Sequence, residues 1–296
     1  MIRLREALLD ERRAEADRLD DDVVRRVRQL LEELLARTIA QIALRPELAA
    51  SDLGRLRTEL EAALALFAQQ ATAELARALA DAFDLGADVA SLEVAAGGLR
   101  VALYGVSRQT LTVAQAFAAD LVTGLTNDAR TAITREIQLA ALGGRSLTEV
   151  LRNVGTSLDD PGVFSTIATR AEAIVRTEVN RVYNTAWYQQ TVEAGRSLPG
   201  LRKRWRHATG VVPTGTPRRG MYRPRPWHVA LDGVSIPVEA EFDLGGEPAR
   251  FPHDPRLSAR NSVNCKCRLV LDASQLDNTA LRTEPIRIRP EEVVPA

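Results

Sequence analysis

Two cysteines, Cys265 and Cys267, stand two positions apart towards the end of the chain, and two of its three histidines, His228 and His253, lie upstream of them. An extended Cys-Lys-Cys segment puts both sulfurs on one side. Together with the two imidazoles it offers a Cys2His2 set of the kind that binds zinc. The competing reading needs no cofactor: two small buried thiols and two hydrogen-bonded imidazoles. A disulfide between residues two apart would be strained. An enzymatic alternative would use Cys265 as nucleophile, or His228 with Asp232 and Glu178 for acid–base work. The chain carries no acyl-transfer motif and no phosphate-cradling glycine loop. His228 ahead of the Asp232-Gly233 turn serves equally well as a structural hydrogen bond. No catalytic residue is therefore assigned.

Glu178 is the second chemically notable residue. A helix over residues 165–194 has the apolar stripe Ile167, Ala171, Ile174, Val175, Val182 and Ala186, and Glu178 falls four residues from both Ile174 and Val182. A carboxylate on a core-facing stripe must be paired or change its pKa. Arg176, Arg181 or an arginine of the C-terminal module would pair with it, with the Asn180 and Asn184 amides nearby. It reads either as a ligand-binding carboxylate or as a buried ion pair that docks the helix.

The third feature is electrostatic. Formal net charge is zero, yet no acid occurs from Arg196 to Leu231. Arg202, Lys203, Arg204, Arg206, Arg218, Arg219, Arg223 and Arg225 fall in that stretch. Such a block attracts phosphates, so these residues form a candidate DNA contact. Only Lys203 and Lys266 are lysines, so the use of arginine reflects compositional bias as much as phosphate geometry.

The elements that must position these groups are mainly helical. Leu and Ala dominate the 296 residues and aromatics are scarce, which favours helices over sheets. No apolar run reaches a membrane-spanning length, and the charged start is unlike a secretory signal. Two cysteines fit a reducing compartment better than a disulfide scaffold. The apolar period predicts a helix over 3–44, with a break expected near Asp20-Asp21-Asp22, and a second over 51–84. Gly86 and Gly97-Gly98 bracket an irregular piece. Helical patterning resumes near Leu99, Gly124 marks a turn, and Thr126 caps a further helix that stops at Gly143-Gly144. Ser146-Leu147-Thr148-Glu149 is a capping box. Strands are expected at 202–207, 234–242 and 267–271, among the turns at Asp232-Gly233 and Gly245-Gly246. The fold class is thus a mainly α N-terminal helical region followed by a small α+β C-terminal module. The expected division is a helical arm over 1–100, a helical part over 101–195, the module with its basic loop over 196–272, and an extended tail over 273–296.

The order Arg176-Thr177-Glu178, Asn184, Trp205, Arg225-Pro226-Trp227-His228, Leu231-Asp232-Gly233, Phe251-Pro252-His253-Asp254-Pro255 and Asn264-Cys265-Lys266-Cys267-Arg268 resembles the phage Mu F-like head morphogenesis family. These are minor capsid proteins of tailed phages. The family pattern has an Arg-Thr-Glu helix, a His-x-x-Leu-Asp-Gly turn and a closing Asn-Cys-(Arg/Lys)-Cys. Some members carry a second cysteine pair that would complete a four-cysteine zinc site, and this chain has none. The resemblance implies that Arg176, Glu178, Asn184, Trp205, His228, Asp232, Gly233 and Asn264 are structural motif positions. It implies a portal-associated component of the virion interior, assembled in the host cytoplasm. Its partners would be the portal protein, the major capsid or scaffolding protein, and packaged double-stranded DNA, with no membrane. The helical arm would dock on the portal through its apolar stripes. The alternatives are a metal-dependent or nuclease-like domain and a DNA-binding protein.

Overall fold

In the computed structural model, residues 2–45, 52–97, 106–207 and 225–274 are described. Five helices come first: α1 (Ile2–Ala43), α2 (Leu53–Ala96), α3 (Gln109–Ala141), α4 (Leu147–Val154) and α5 (Val163–Ser197). A small α+β module follows, with β1 (Arg202–Arg206), α6 (Pro226–Ala230), β2 (Ser235–Pro237), β3 (Phe242–Asp243), β4 (Pro248–Ala249), α7 (Ala259–Ser262) and β5 (Arg268–Asp272). The fold class is the one expected: a long helical region and a small C-terminal module of short strands and helices.

The chain splits into two compact units, each made of discontinuous segments. One gathers Arg18–Asp81 and Gln109–Val179; the other gathers Met1–Asp17, Ala82–Arg108 and Asn180–Ala296. Helices α1, α2 and α5 each contribute residues to both.

The first unit is all helical. Val23, Val27 and Leu31 of α1, Leu60, Leu64 and Phe67 of α2, and Val122, Leu125 and Ile133 of α3 are buried in it. Acids 20–22 do not break α1. Asp20 is buried and receives the Arg176 guanidinium at 2.9 Å, with Asp21 also in contact. Arg28 reaches Glu172 at 2.7 Å and Asp159 at 3.0 Å. Glu178 is buried, as its place on the stripe of α5 requires. Helix α3 runs straight through Gly124, where a turn was expected. Its buried positions Leu111, Ala118, Val122, Leu125, Ala129, Ile133 and Ile137 keep one helical period across the glycine. That burial outweighs the roughly 1 kcal/mol a glycine costs inside a helix. Thr126 is correspondingly no cap, and its hydroxyl bonds back to the Val122 carbonyl at 2.8 Å. The Gly143 stop and the Ser146–Glu149 capping box both form as expected.

In the second unit, β1 is the centre of a three-stranded antiparallel sheet in the order β2-β1-β5. Lys203 faces Ile236 on one side and Leu271 on the other. Strands β3 and β4 form a separate hairpin. The Glu93 carboxylate, fully inside α2, takes the Arg13 guanidinium at 2.6 Å, the Trp187 indole N–H at 3.0 Å and the Leu271 amide at 2.9 Å. It therefore ties α1, α5 and the edge of β5 together. Gly86 lies within α2 rather than ending it, because a Cβ there would collide with the Tyr183 carbonyl of α5. Gly86→Ala is expected to destabilise the protein by about 1–3 kcal/mol, the usual range for overpacking. Thermal unfolding checks this, and a wild-type midpoint would show that α2 and α5 do not need that close approach.

The apolar stripes of α1 and α2 are largely buried within the chain. Among the described residues, Leu8 and Leu44 are the large apolar side chains of these two helices that remain exposed. Among the described residues, α1 and α2 therefore present no broad exposed apolar stripe.

Candidate metal centre

The site is built from two short elements and a turn. Pro226 opens α6, where its missing N–H costs nothing and its fixed φ suits the helix. The single turn of α6 carries His228 inward, to full burial. The chain then reverses at Asp232-Gly233. Asp232 accepts the His207 amide at 2.8 Å, and Gly233, at φ +80°, donates its N–H to the Trp205 carbonyl at 2.9 Å. The Trp205 amide donates to the Val234 carbonyl at 2.9 Å. Asp232 thus locks the turn to the end of β1. On the other side α7 ends, Asn264 takes a left-handed conformation at φ +55°, and Cys265 and Cys267 lead into β5. Asn184 of α5 pins this segment by donating to the Cys267 carbonyl at 3.4 Å.

His228 Nδ1 lies 3.5 Å from Cys265 Sγ and 3.6 Å from Cys267 Sγ. All three side chains are fully buried, and the three donor atoms lie within 4.8 Å of one another. This His/Cys/Cys set can hold a metal ion. A tetrahedral zinc with about 2.3 Å to sulfur and about 2.0–2.1 Å to nitrogen separates its sulfur and nitrogen ligands by about 3.5–3.6 Å. The observed separations equal that edge. Burial alone would raise the Cys265 thiol, but hydrogen bonds with Cys267, His228 and His253 outweigh it and hold Cys265 well below the ordinary thiol range. The bond to Cys265, together with burial, pushes Cys267 well above it.

Trp205 packs edge-on to the His228 ring at a centroid distance of 5.7 Å and edge-on to Phe242 at 5.1 Å. His253, expected as the fourth ligand, is not among the gathered donors. It is fully buried at φ +64°, and its Nε2 donates to the Cys265 carbonyl at 2.8 Å. The set that the structure assembles is therefore three donors, not four.

No protein-family model matches the chain, and no solved structure matches it. A stretch of 142 residues is 32% identical to the uncharacterized protein YqbB of Bacillus subtilis (strain 168), covering 46% of this chain and 42% of that protein. The chain thus matches less than half the length of that relative.

The basic stretch divides when its residues are placed. Lys203 is fully buried and joins no phosphate-facing surface, because it shares the inward face of β1 with Trp205. Arg202 donates to the Ser235 carbonyl at 2.6 Å and Arg204 pairs with Asp272 at 2.8 Å. Arg225 donates to the Val263 carbonyl at 2.7 Å, and Arg206 is exposed. Arg218, Arg219 and Arg223 lie outside the described residues. Asn261 was not singled out in the sequence, and it proves to contact His228 directly, with its Oδ1 3.2 Å from Nε2. Nothing local in Arg-Asn-Ser marks it.

Proposed function

We propose that the protein is a non-catalytic minor head protein of a tailed phage, associated with the portal inside the head, and that a zinc ion clamps its C-terminal module. The observation that carries this reading is the full burial of His228, Cys265 and Cys267 beside a turn that Asp232 and Gly233 lock onto β1. Donors closed off in this way suit a structural ion better than a catalytic one, which keeps a position open to substrate. Of the positions that carry the resemblance to the Mu F-like family, Asn184, Trp205, His228 and the cysteine pair are buried, and the exposed Asp232 and Gly233 hydrogen-bond to the end of β1. That supports the resemblance as a shared structural unit.

Docking on a portal would not use the buried stripes of α1 and α2. It would fall to side chains still exposed, among them Val113 and Phe117, one turn apart on α3. Contact with packaged DNA would use Arg206 and the arginines beyond the described residues. None of the described helices is long and apolar enough to cross a membrane.

Mass spectrometry of particles purified from a host carrying the gene tests the reading. The chain is expected in DNA-filled heads at low copy number, and Val113→Glu with Phe117→Glu should remove it from them while the chain stays folded. Heads that never contain the chain would contradict the proposal. Plasmid cleavage by the zinc-loaded protein, lost in His228→Ala, would favour the nuclease-like alternative instead.

A further inference from the structure

The zinc reading leaves open what holds His228 in the form that binds metal. A neutral imidazole carries its proton on one nitrogen, and the other is the ligand. His228 Nε2 lies 3.2 Å from Asn261 Oδ1, and both side chains are buried. The orientation of the Asn261 amide is fixed twice over. The Trp227 indole N–H, which can only donate, lies 2.7 Å from Oδ1. The Leu244 carbonyl, which can only accept, lies 2.9 Å from Nδ2. Oδ1 is therefore the acceptor for both rings, and His228 Nε2 must be the donor. The proton sits on Nε2, and the Nδ1 lone pair faces the two sulfurs at 3.5 and 3.6 Å.

We propose that Asn261 is the positioning residue of the metal centre: it fixes the Nε2–H tautomer and the ring plane of His228, so that the ion is bound through Nδ1. This rests on the zinc reading and adds to it a residue that touches no metal. Partners of this kind, bonded to the far nitrogen of a ligating histidine, typically change metal affinity 10–100-fold.

The test is a titration of the purified, metal-free full chain with cobalt(II) chloride, followed by competition with zinc. The thiolate-to-cobalt absorption reports the bound form. Asn261→Leu keeps the volume and removes the acceptor, and is expected to weaken cobalt binding by about 10–100-fold. Asn261→Asp keeps an acceptor oxygen and should recover most of the loss. Wild-type affinity and an unchanged spectrum in Asn261→Leu would overturn the inference while leaving the zinc reading intact. A wild-type chain with no thiolate band would overturn both. A second measurement does not depend on the variants folding. Nitrogen-15 NMR of histidine-labelled, zinc-loaded protein should show the Nε2–H form for His228, one of only three histidines. An Nδ1–H signal there would overturn the inference.

Discussion

Saturating zinc is expected to raise the unfolding midpoint of the C-terminal unit sharply, and chelation or His228→Ala should remove the gain. An ion that binds only the folded state stabilises it by RT ln(1 + [L]/Kd), about 4 kcal/mol when free zinc is a thousand times Kd. The effect should be large because the unfolded chain has no equivalent site. His228 and the cysteine pair are 37 and 39 residues apart in sequence and meet only after β1, α6 and β5 have assembled. Cys265→Ser and Cys267→Ser should each abolish the zinc response, since a serine hydroxyl is a poor substitute for thiolate. Calorimetry at fixed free zinc measures the shift. A midpoint that ignores zinc and chelator alike would show that the buried thiols and imidazole are only packed together.

The second large effect concerns Lys203. Its ammonium is fully buried, makes no hydrogen bond, and lies 4.6 Å from the centre of the Tyr188 ring and 5.6 Å from that of Phe242. Burial brings its pKa down to about 7, and the attraction of Glu239 offsets this only in part. The unfolded chain has the ordinary value of 10.5. Between about pH 7 and pH 10.5 the unfolded state therefore holds a proton that the folded state has lost, and stability rises with pH across that window. Below about 7 both states are charged and the full cost of burying the ammonium is present. Lys203→Met keeps the length and packing without the charge. It is expected to stabilise the protein by about 2–4 kcal/mol at pH 7 and to flatten the rise towards pH 10. Denaturant unfolding of both proteins at pH 7, 8.5 and 10, at the same free zinc, checks this. A less stable variant that keeps the wild-type pH slope would show that the ammonium has partners strong enough to offset its burial.

The helices were legible because their apolar residues repeat at the helical period, and the capping box at Ser146 and the stop at Gly143 are local signals. Gly86 and Gly124 misled because a glycine's meaning depends on what lies beside it. At Gly86 that is the Tyr183 carbonyl, which is almost a hundred positions later in the chain. Glu93 carries the same signal that drew notice to Glu178, a carboxylate among apolar residues, yet it fell in a stretch read as irregular. Lys203 was grouped with its arginine neighbours by charge. The strand period says otherwise, since Arg202, Arg204 and Arg206 alternate with the buried Lys203 and Trp205. Cysteines and histidine could be proposed together from residue type alone. Which histidine faces the sulfurs depends on where α6 and the 250–254 turn point each ring, and spacing holds no record of that. Asn261 was invisible for the same reason: its partners Trp227, His228 and Leu244 are all distant in sequence.

Metal content and X-ray absorption of the full chain, purified in the presence of zinc, test the clamped module most directly. The expected result is one zinc per chain, with two sulfurs at about 2.3 Å and an imidazole nitrogen at about 2.0–2.1 Å. A folded chain that retains no zinc, or holds it without sulfur ligands, would contradict the account.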